Sequence, residues 1–357
     1  MLTLAACVSS LLGLPDAQAA DWSVAPGINF QHDWAEFQSD ASPLDDAADF
    51  RRMRLSVTAK HAKDLELKAE YDLFSNQWTD AYAKYHFGDG HSLRTGQFKQ
   101  PFFLEELTSD RNSLFMEQGL PSAMGIARRL GAEYAYTRPQ WSITVSGYGQ
   151  TLEGLNEGTG LAARVTWLPV SAEGRFLHLA AAVASEDPKS DTGRFSTRPE
   201  ASLSPRRFAD TGTLANVDSI QRLGIEAAYV DGPLLLQSEY VHGSFQRDGS
   251  ADFSGAGYYL QAGWFLTEHA RGYKNGTIDA PKLDGERGAW ELGLRYSHLD
   301  LDDGAVRGGV ESNWTLGLTW WAHPNARLMA NAISVNSDRR GISDNPDILE
   351  FRAQIGF

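Results

Sequence analysis

Apolar and polar residues alternate with a period of two along most of this chain. In residues 65–73, Glu66, Lys68, Glu70 and Asp72 take every second place between Leu65, Leu67, Ala69, Tyr71 and Leu73. Successive side chains of a strand point to opposite faces, so the segment predicts a strand with one apolar and one charged face. Residues 53–60 repeat the pattern, with Met53, Leu55, Val57 and Ala59 set against Arg52, Arg54, Ser56 and Thr58. The chain also ends on it: Leu349, Phe351, Ala353, Ile355 and Phe357 share one face, and Glu350, Arg352 and Gln354 the other. Those last residues alone would equally suit a half-buried strand of a soluble sandwich. Charges at every second position over a whole strand do not suit a sandwich core; they fit a wall with lipid on one side and a wet lumen on the other.

The same reading gives about sixteen candidate strands in one series, a count usual for bacterial membrane barrels. Besides the three above they are residues 28–34, 78–87, 91–98, 128–137, 141–149, 160–168, 175–185, 220–230, 233–245, 254–266, 288–299, 312–322 and 327–336. Facing is ambiguous in 327–336, where both sides carry apolar residues. Alternate joints are short turn sequences, such as Gly88-Asp89-Gly90, Arg138-Pro139-Gln140, Asp231-Gly232 and His323-Pro324-Asn325. The intervening set includes 99–127 and 186–219, long enough to imply a function. The connection 267–287 falls on the short side, as an elaborated turn or as the sign of a strand count off by one. Trp141, Trp167, Trp264, Trp314 and Trp320 fall on outward faces and are expected in the aromatic girdles at the membrane interfaces. The fold class is therefore all-β: a transmembrane antiparallel barrel of sixteen strands.

Composition fits this picture. Aromatics make up 11% of the 357 residues and there are 34 glycines, a balance that favours pleated sheet with tight turns. Beyond the N-terminal segment no apolar run is long enough for a membrane helix, and the negative mean hydropathy is no objection, since alternation cancels in any average. Residues 1–20 contain an apolar stretch and Ala17-Gln18-Ala19, as in a secretory signal or its remnant, which leaves 21–357 as one barrel domain. A second reading takes Leu4-Ala5-Ala6-Cys7 as a lipoprotein box that would lipidate Cys7. Cys7 is the only cysteine, so the mature chain has no internal disulfide. The net charge of −14 argues against nucleic acid as a partner, but says little about a pore, where the ring of side chains at the narrowest point decides.

Several segments together resemble the phosphate-selective porin O and P family. They include Asp49-Phe50-Arg51-Arg52-Met53-Arg54, Ala69-Glu70-Tyr71-Asp72-Leu73 and Gly96-Gln97-Phe98-Lys99-Gln100-Pro101-Phe102. Gly288-Ala289-Trp290-Glu291-Leu292-Gly293-Leu294-Arg295-Tyr296-Ser297, Trp314-Thr315-Leu316-Gly317-Leu318-Thr319-Trp320-Trp321 and Asn325-Ala326-Arg327-Leu328-Met329-Ala330-Asn331 continue the similarity in order. The resemblance implies an outer-membrane homotrimer in a Gram-negative bacterium, with outer-membrane lipid around each barrel. It also implies passive diffusion of small anions such as phosphate or pyrophosphate, and no cofactor. By the same resemblance the barrel would have a long loop, loop three, folded into the lumen, an arginine ladder would lead anions down, and Arg, Lys and one Asp would form the constriction. Carried over, the arginine pair falls on Arg51 and Arg52 with Arg54 beside it, the acid on Asp80 and the basic loop position on Arg111. The ladder falls among Arg194, Arg198, Arg206 and Arg207. This chain departs from the family in having few loop lysines and several acids, Glu105, Glu106 and Asp110, in the inward loop.

Arginine suits such a filter because its planar fork stays charged and donates paired bonds to oxyanions. The structural alternative is that Arg52 and Arg54 pair with Glu66, Glu70 or Asp72 on the next strand. Arg128 and Arg129 are expected to anchor the inward loop through Glu105 or Glu106. Glu133, Glu226, Glu239, Glu291 and Glu350 are expected to pair with Arg164, Arg222, Arg295 and Arg352. His242 and His298 read as wall residues, and no spacing of a hydrolase triad, a metal motif or a phosphate-cradling loop occurs, so the chain reads as no enzyme. The alternative function is a general or sugar-permeable porin without phosphate selectivity.

Overall fold

The computed structural model describes residues 22–156, 158–283 and 288–357. The signal and lipoprotein readings of residues 1–20 lie outside the described residues. Among those described, sixteen long strands form one closed antiparallel sheet. They are β1 (Trp22–Gln38), β2 (Ala47–His61), β3 (Leu65–Asp72), β4 (Gln77–Phe87), β5 (His91–Lys99), β6 (Arg128–Arg138), β7 (Trp141–Tyr148) and β8 (Thr159–Ala172). The second half comprises β9 (Arg175–Asp187), β10 (Val217–Asp231), β11 (Leu234–Arg247), β12 (Phe253–Phe265), β13 (Ala289–Asp303), β14 (Val306–His323), β15 (Ala326–Arg339) and β16 (Asp347–Gly356). Each strand pairs with its sequence neighbours, and β16 returns to β1 from Asn29↔Gly356 to Gln38↔Asp347. Closure leaves no unpaired edge, which is what a sheet needs in hydrocarbon.

Alternation sorts the faces as expected. Leu349, Phe351, Ile355 and Phe357 are exposed on the outer wall, while Glu350, Arg352 and Gln354 are buried inside. Trp141, Trp167, Trp264 and Trp314 are exposed on the outer face; Trp320 is half-buried and stacks on Trp290, with centroids 5.6 Å apart. Trp314 lies well inside β14 rather than beside a turn. Gly96 shows how close the wall strands run. Its φ of 120° suits glycine, and a Cβ there would lie 2.2 Å from the Ala81 carbonyl oxygen. Gly96→Ala is expected to lower stability by about 1–3 kcal/mol, read as an earlier unfolding midpoint in detergent; an unchanged midpoint would contradict this.

The lumen is not wet all round. Three segments fold into it: residues 100–127, which carry the short helix α1 (Leu104–Leu107) and a 3-10 turn (Leu120–Met124), residues 188–216, and a hairpin of Arg271–Lys274 with Thr277–Pro281. Phe102, Phe103, Leu120 and Met124 of the first pack with Phe195 and Ala209 of the second against Val241, Phe245, Phe253, Tyr259 and Leu299 of the inner wall. Ile333, Val335 and Ile348 meet Leu44, Ala201 and Phe208. This explains the apolar residues on both faces of 327–336: lipid takes one side and an inward loop the other. The connection expected over 267–287 is thus, in its described residues 267–283, an elaborated turn, and the strand count stands. It leaves the barrel at the end where the short turns and both described chain ends lie, and turns back inside.

Candidate functional site

A bulge in β2 sets the arginines. Gln31 pairs with Arg52 and the next residue, His32, pairs with Phe50, so Arg51 is an extra residue in its strand. Such an insertion shifts facing by one place. Phe50 remains on the lipid face, while Arg51, Arg52 and Arg54 all reach groups inside the barrel. Strict alternation could not place Arg51 there.

All three line a cavity of about 320 Å³ between β2, the loop 100–127 and the loop 188–216. Seven bases line it, Arg51, Arg52, Arg54, Lys99, Arg128, Arg198 and Arg207, against five carboxylates, Glu105, Glu106, Asp110, Glu117 and Glu200. Arg51 grips Glu117 through two bonds of 2.8 and 2.9 Å. Arg52 lies 2.7 Å from Asp110 and donates to Gln31 at 2.6 Å. Arg54 bridges Asp72 at 3.0 Å and Asp110 at 2.6 Å, and its 3.9 Å approach to Glu70 completes the cross-strand pairing expected of a wall arginine. Arg198 and Arg207 are exposed, and neither has a carboxylate within ion-pair distance among the described residues; Arg207 donates weakly to Ser196 at 3.4 Å.

The other carried-over positions fall elsewhere. Asp80 sits in the wall between Lys68 and Arg128, 2.7 Å from each, and does not line the cavity. Arg111 lies against Gly356 near the short-turn end, because the loop has turned downward by that point. Arg206 is exposed outside the cavity lining, and Arg194 is taken by Asp210 at 2.6 Å. Lys99 and Glu117 were missed by sequence reading. The lysine stands at the end of the Gly-Gln-Phe-Lys segment and donates to the carbonyls of Glu106 and Thr108.

The inward loop is not anchored as expected. Arg128 and Arg129 pair with Asp80 and Glu186 on the wall, at 2.7 and 2.9 Å, rather than with Glu105 or Glu106. Instead Glu239 of β11 accepts from the backbone N–H groups of Leu104 and Glu105, at 2.6 and 2.8 Å, and so caps the first turn of α1. Arg295 of β13 reaches Glu105, Glu200 and the Glu117 carbonyl, and Arg327 of β15 holds the carbonyls of Asp110 and Ser113. Arg352 of β16 binds Asp33 and Glu117, both at 2.7 Å. Of the wall acids, only Glu226 takes an expected partner, Arg164 at 2.5 Å; Glu133 pairs with Arg94 and Glu291 with Arg271. Arg222 pairs with Glu186, and buried Glu350 has no hydrogen-bond partner.

The hairpin fills the lumen below the loop. Arg271 binds Glu291 through bonds of 2.8 and 2.6 Å and also donates to the Asn112 carbonyl. Asn112 in turn donates to Asp279 at 2.7 Å, and Tyr273 meets His178 at 2.8 Å. His242 and His298 are half-buried wall residues, the latter 2.8 Å from the Ser312 hydroxyl. Among the described residues no three His, Cys, Asp or Glu side chains are placed to hold a metal ion.

Comparison with known proteins agrees with this architecture. A Caulobacter vibrioides protein is 28% identical over 80% of this chain, and the match spans 62% of that relative. Porin O of Pseudomonas aeruginosa is 23% identical over 82% of this chain and 78% of its own length. The anion-selective porin from Comamonas acidovorans superposes with a TM-score of 0.62 at 12% identity, covering 94% of this chain and all of that one (100%), which shows a shared porin fold. The phosphate-selective porin O and P profile matches residues 24–357. A sixteen-stranded closed wall with an arginine-lined, loop-narrowed interior and a match over that whole wall has one conclusion: the chain belongs to the phosphate-selective porin O and P family of the Gram-negative outer membrane.

Proposed function

We propose that this protein is a passive outer-membrane channel for small anions, with the arginine-lined cavity as its constriction. The observation that carries the reading is the excess of bases there, including Arg198 and Arg207 with no carboxylate partner among the described residues. Arg51, Arg52 and Arg54 add fixed donors on one wall. Several moderate sites in series suit conduction, which needs attraction strong enough for entry and weak enough for exit. Asp80 supports Arg128 from the wall and Arg111 acts outside the constriction. Phosphate or pyrophosphate is the substrate class implied by the family, and a trimer with one channel per barrel its assembly.

The test is the reversal potential of single channels in a potassium chloride gradient, followed by addition of phosphate and pyrophosphate. An anion-preferring potential and a chloride current reduced by phosphate are expected. A cation-preferring potential would overturn the reading. Sugar-driven liposome swelling that is unchanged in Arg52→Ala would instead favour a channel for neutral solutes.

A further inference from the structure

The hairpin from the short-turn end reaches the turn that lines the cavity without lining the cavity itself. Residues 109–113 of the first inward loop turn tightly, with the Asn112 N–H donated to the Ser109 carbonyl at 2.8 Å. Asp110 and Ser113 line the cavity, and Asn112 does not. The Asn112 side-chain amide instead donates to the Asp279 carboxylate of the hairpin at 2.7 Å. Its carbonyl accepts from Arg271, whose other two nitrogens are held by Glu291 of β13. Leu114 and Ile278 extend the contact within one apolar cluster. We propose that Asp279 is a positioning residue of the constriction: acting through Asn112, it fixes where the turn 109–113 stands, and so sets how tightly the cavity holds an oxyanion that Asp279 does not touch.

The inference rests on the cavity being an anion constriction. Affinity for a small anion depends on surroundings held in place before it arrives, because ordering them at the moment of binding subtracts from the gain. Arg327 of β15 donates to the Asp110 and Ser113 carbonyls at 2.8 and 2.7 Å, which fixes the turn against the wall. A turn held at two carbonyls can still pivot about the line that joins them. The Asn112 contact supplies a third point, from a different element. Charge alone predicts the opposite effect. Asp279 is a half-buried acid inside the barrel, so by electrostatics its removal would favour an entering anion. A positioning role predicts that its removal weakens the hold on phosphate, and the sign separates the two.

Asp279→Ala removes the acceptor and leaves the Arg271–Glu291 pair, so the hairpin keeps its attachment to the wall. In planar bilayers the concentration of inorganic phosphate that halves the chloride current is expected to rise about fivefold, the factor that goes with one lost hydrogen bond. Asp279→Asn keeps an oxygen acceptor for Asn112 without the charge and should stay within about twofold of wild type. An unchanged or lower half-blocking concentration in Asp279→Ala would overturn the proposal, whatever happens to its melt in detergent or its open-channel conductance. An equal rise in Asp279→Asn would also overturn it, because charge rather than the hydrogen bond would then be responsible. A wild type that prefers cations, or whose current phosphate leaves untouched, would overturn the cavity reading and this inference with it. A blocked wild type beside an unmoved Asp279→Ala overturns this inference alone.

Discussion

Arg295→Ala is expected to loosen both inward loops at once and to lower stability by about 3–5 kcal/mol. Arg295 is fully buried and lies 2.6 Å from Glu200 of one loop and 3.2 Å from Glu105 of the other. It also donates to the Glu117 carbonyl, and its guanidinium covers the Phe115 ring at 4.4 Å. Removing it leaves two carboxylates without their cation in a region where water enters poorly, and that exposure of buried charge is the main source of the loss. The Ser297 and Thr315 hydroxyls still donate to Glu200, so the loop 188–216 keeps part of its attachment. The measurement is thermal unfolding in detergent together with limited proteolysis. The melt should move down, and new cleavage should fall in residues 100–127 and 188–216 while the wall strands stay protected. A melt within error of wild type would mean that the apolar contacts and the remaining polar anchors hold the loops without Arg295.

The second large effect concerns selectivity rather than stability. Arg198→Ala with Arg207→Ala removes two exposed cavity cations that have no carboxylate partner among the described residues, and leaves five bases facing five carboxylates. The anion preference is expected to collapse, with the reversal potential moving close to zero. Stability should change by less than about 0.5 kcal/mol, since both side chains are exposed and break no buried contact. Dilute salt should enlarge the difference between variant and wild type, because screening weakens at low ionic strength. An unchanged reversal potential would move the source of selectivity to the β2 arginines.

The strands, their faces and the closure of β16 on β1 were legible because lipid enforces alternation on one side of every strand. The bulge at Arg51 was not. It adds one residue to the period of two, and nothing in Phe50-Arg51-Arg52-Met53-Arg54 announces it. The destination of the loops was only half legible. Their length marked them as functional, and apolar residues on both faces of 327–336 were the trace of a loop packed inside, open to reading only once a second apolar surface was known to exist. Pairings such as Arg295 with Glu200 join residues far apart in sequence, and charge alone allows many such matches. Wall or loop position did not by itself decide how the positions carried over by resemblance fared: Arg51, Arg52 and Arg54 on the wall and Arg198 and Arg207 in a loop line the cavity, while Asp80 on the wall and Arg111 and Arg206 in loops do not.

The contact of Asn112 with Arg271 and Asp279 has a mechanical meaning. The loop bearing Asn112 springs from β5 and β6, and the hairpin from β12 and β13, so the two roots stand almost diametrically opposed on the sixteen-stranded ring and enter from opposite ends. A single-layer tube squeezed by the lateral pressure of a bilayer yields most easily by becoming oval. Here a tie crosses the bore, and flattening in that direction would have to stretch or buckle it. The cross-section, and with it the spacing between the arginines and their opposite wall, is braced from within.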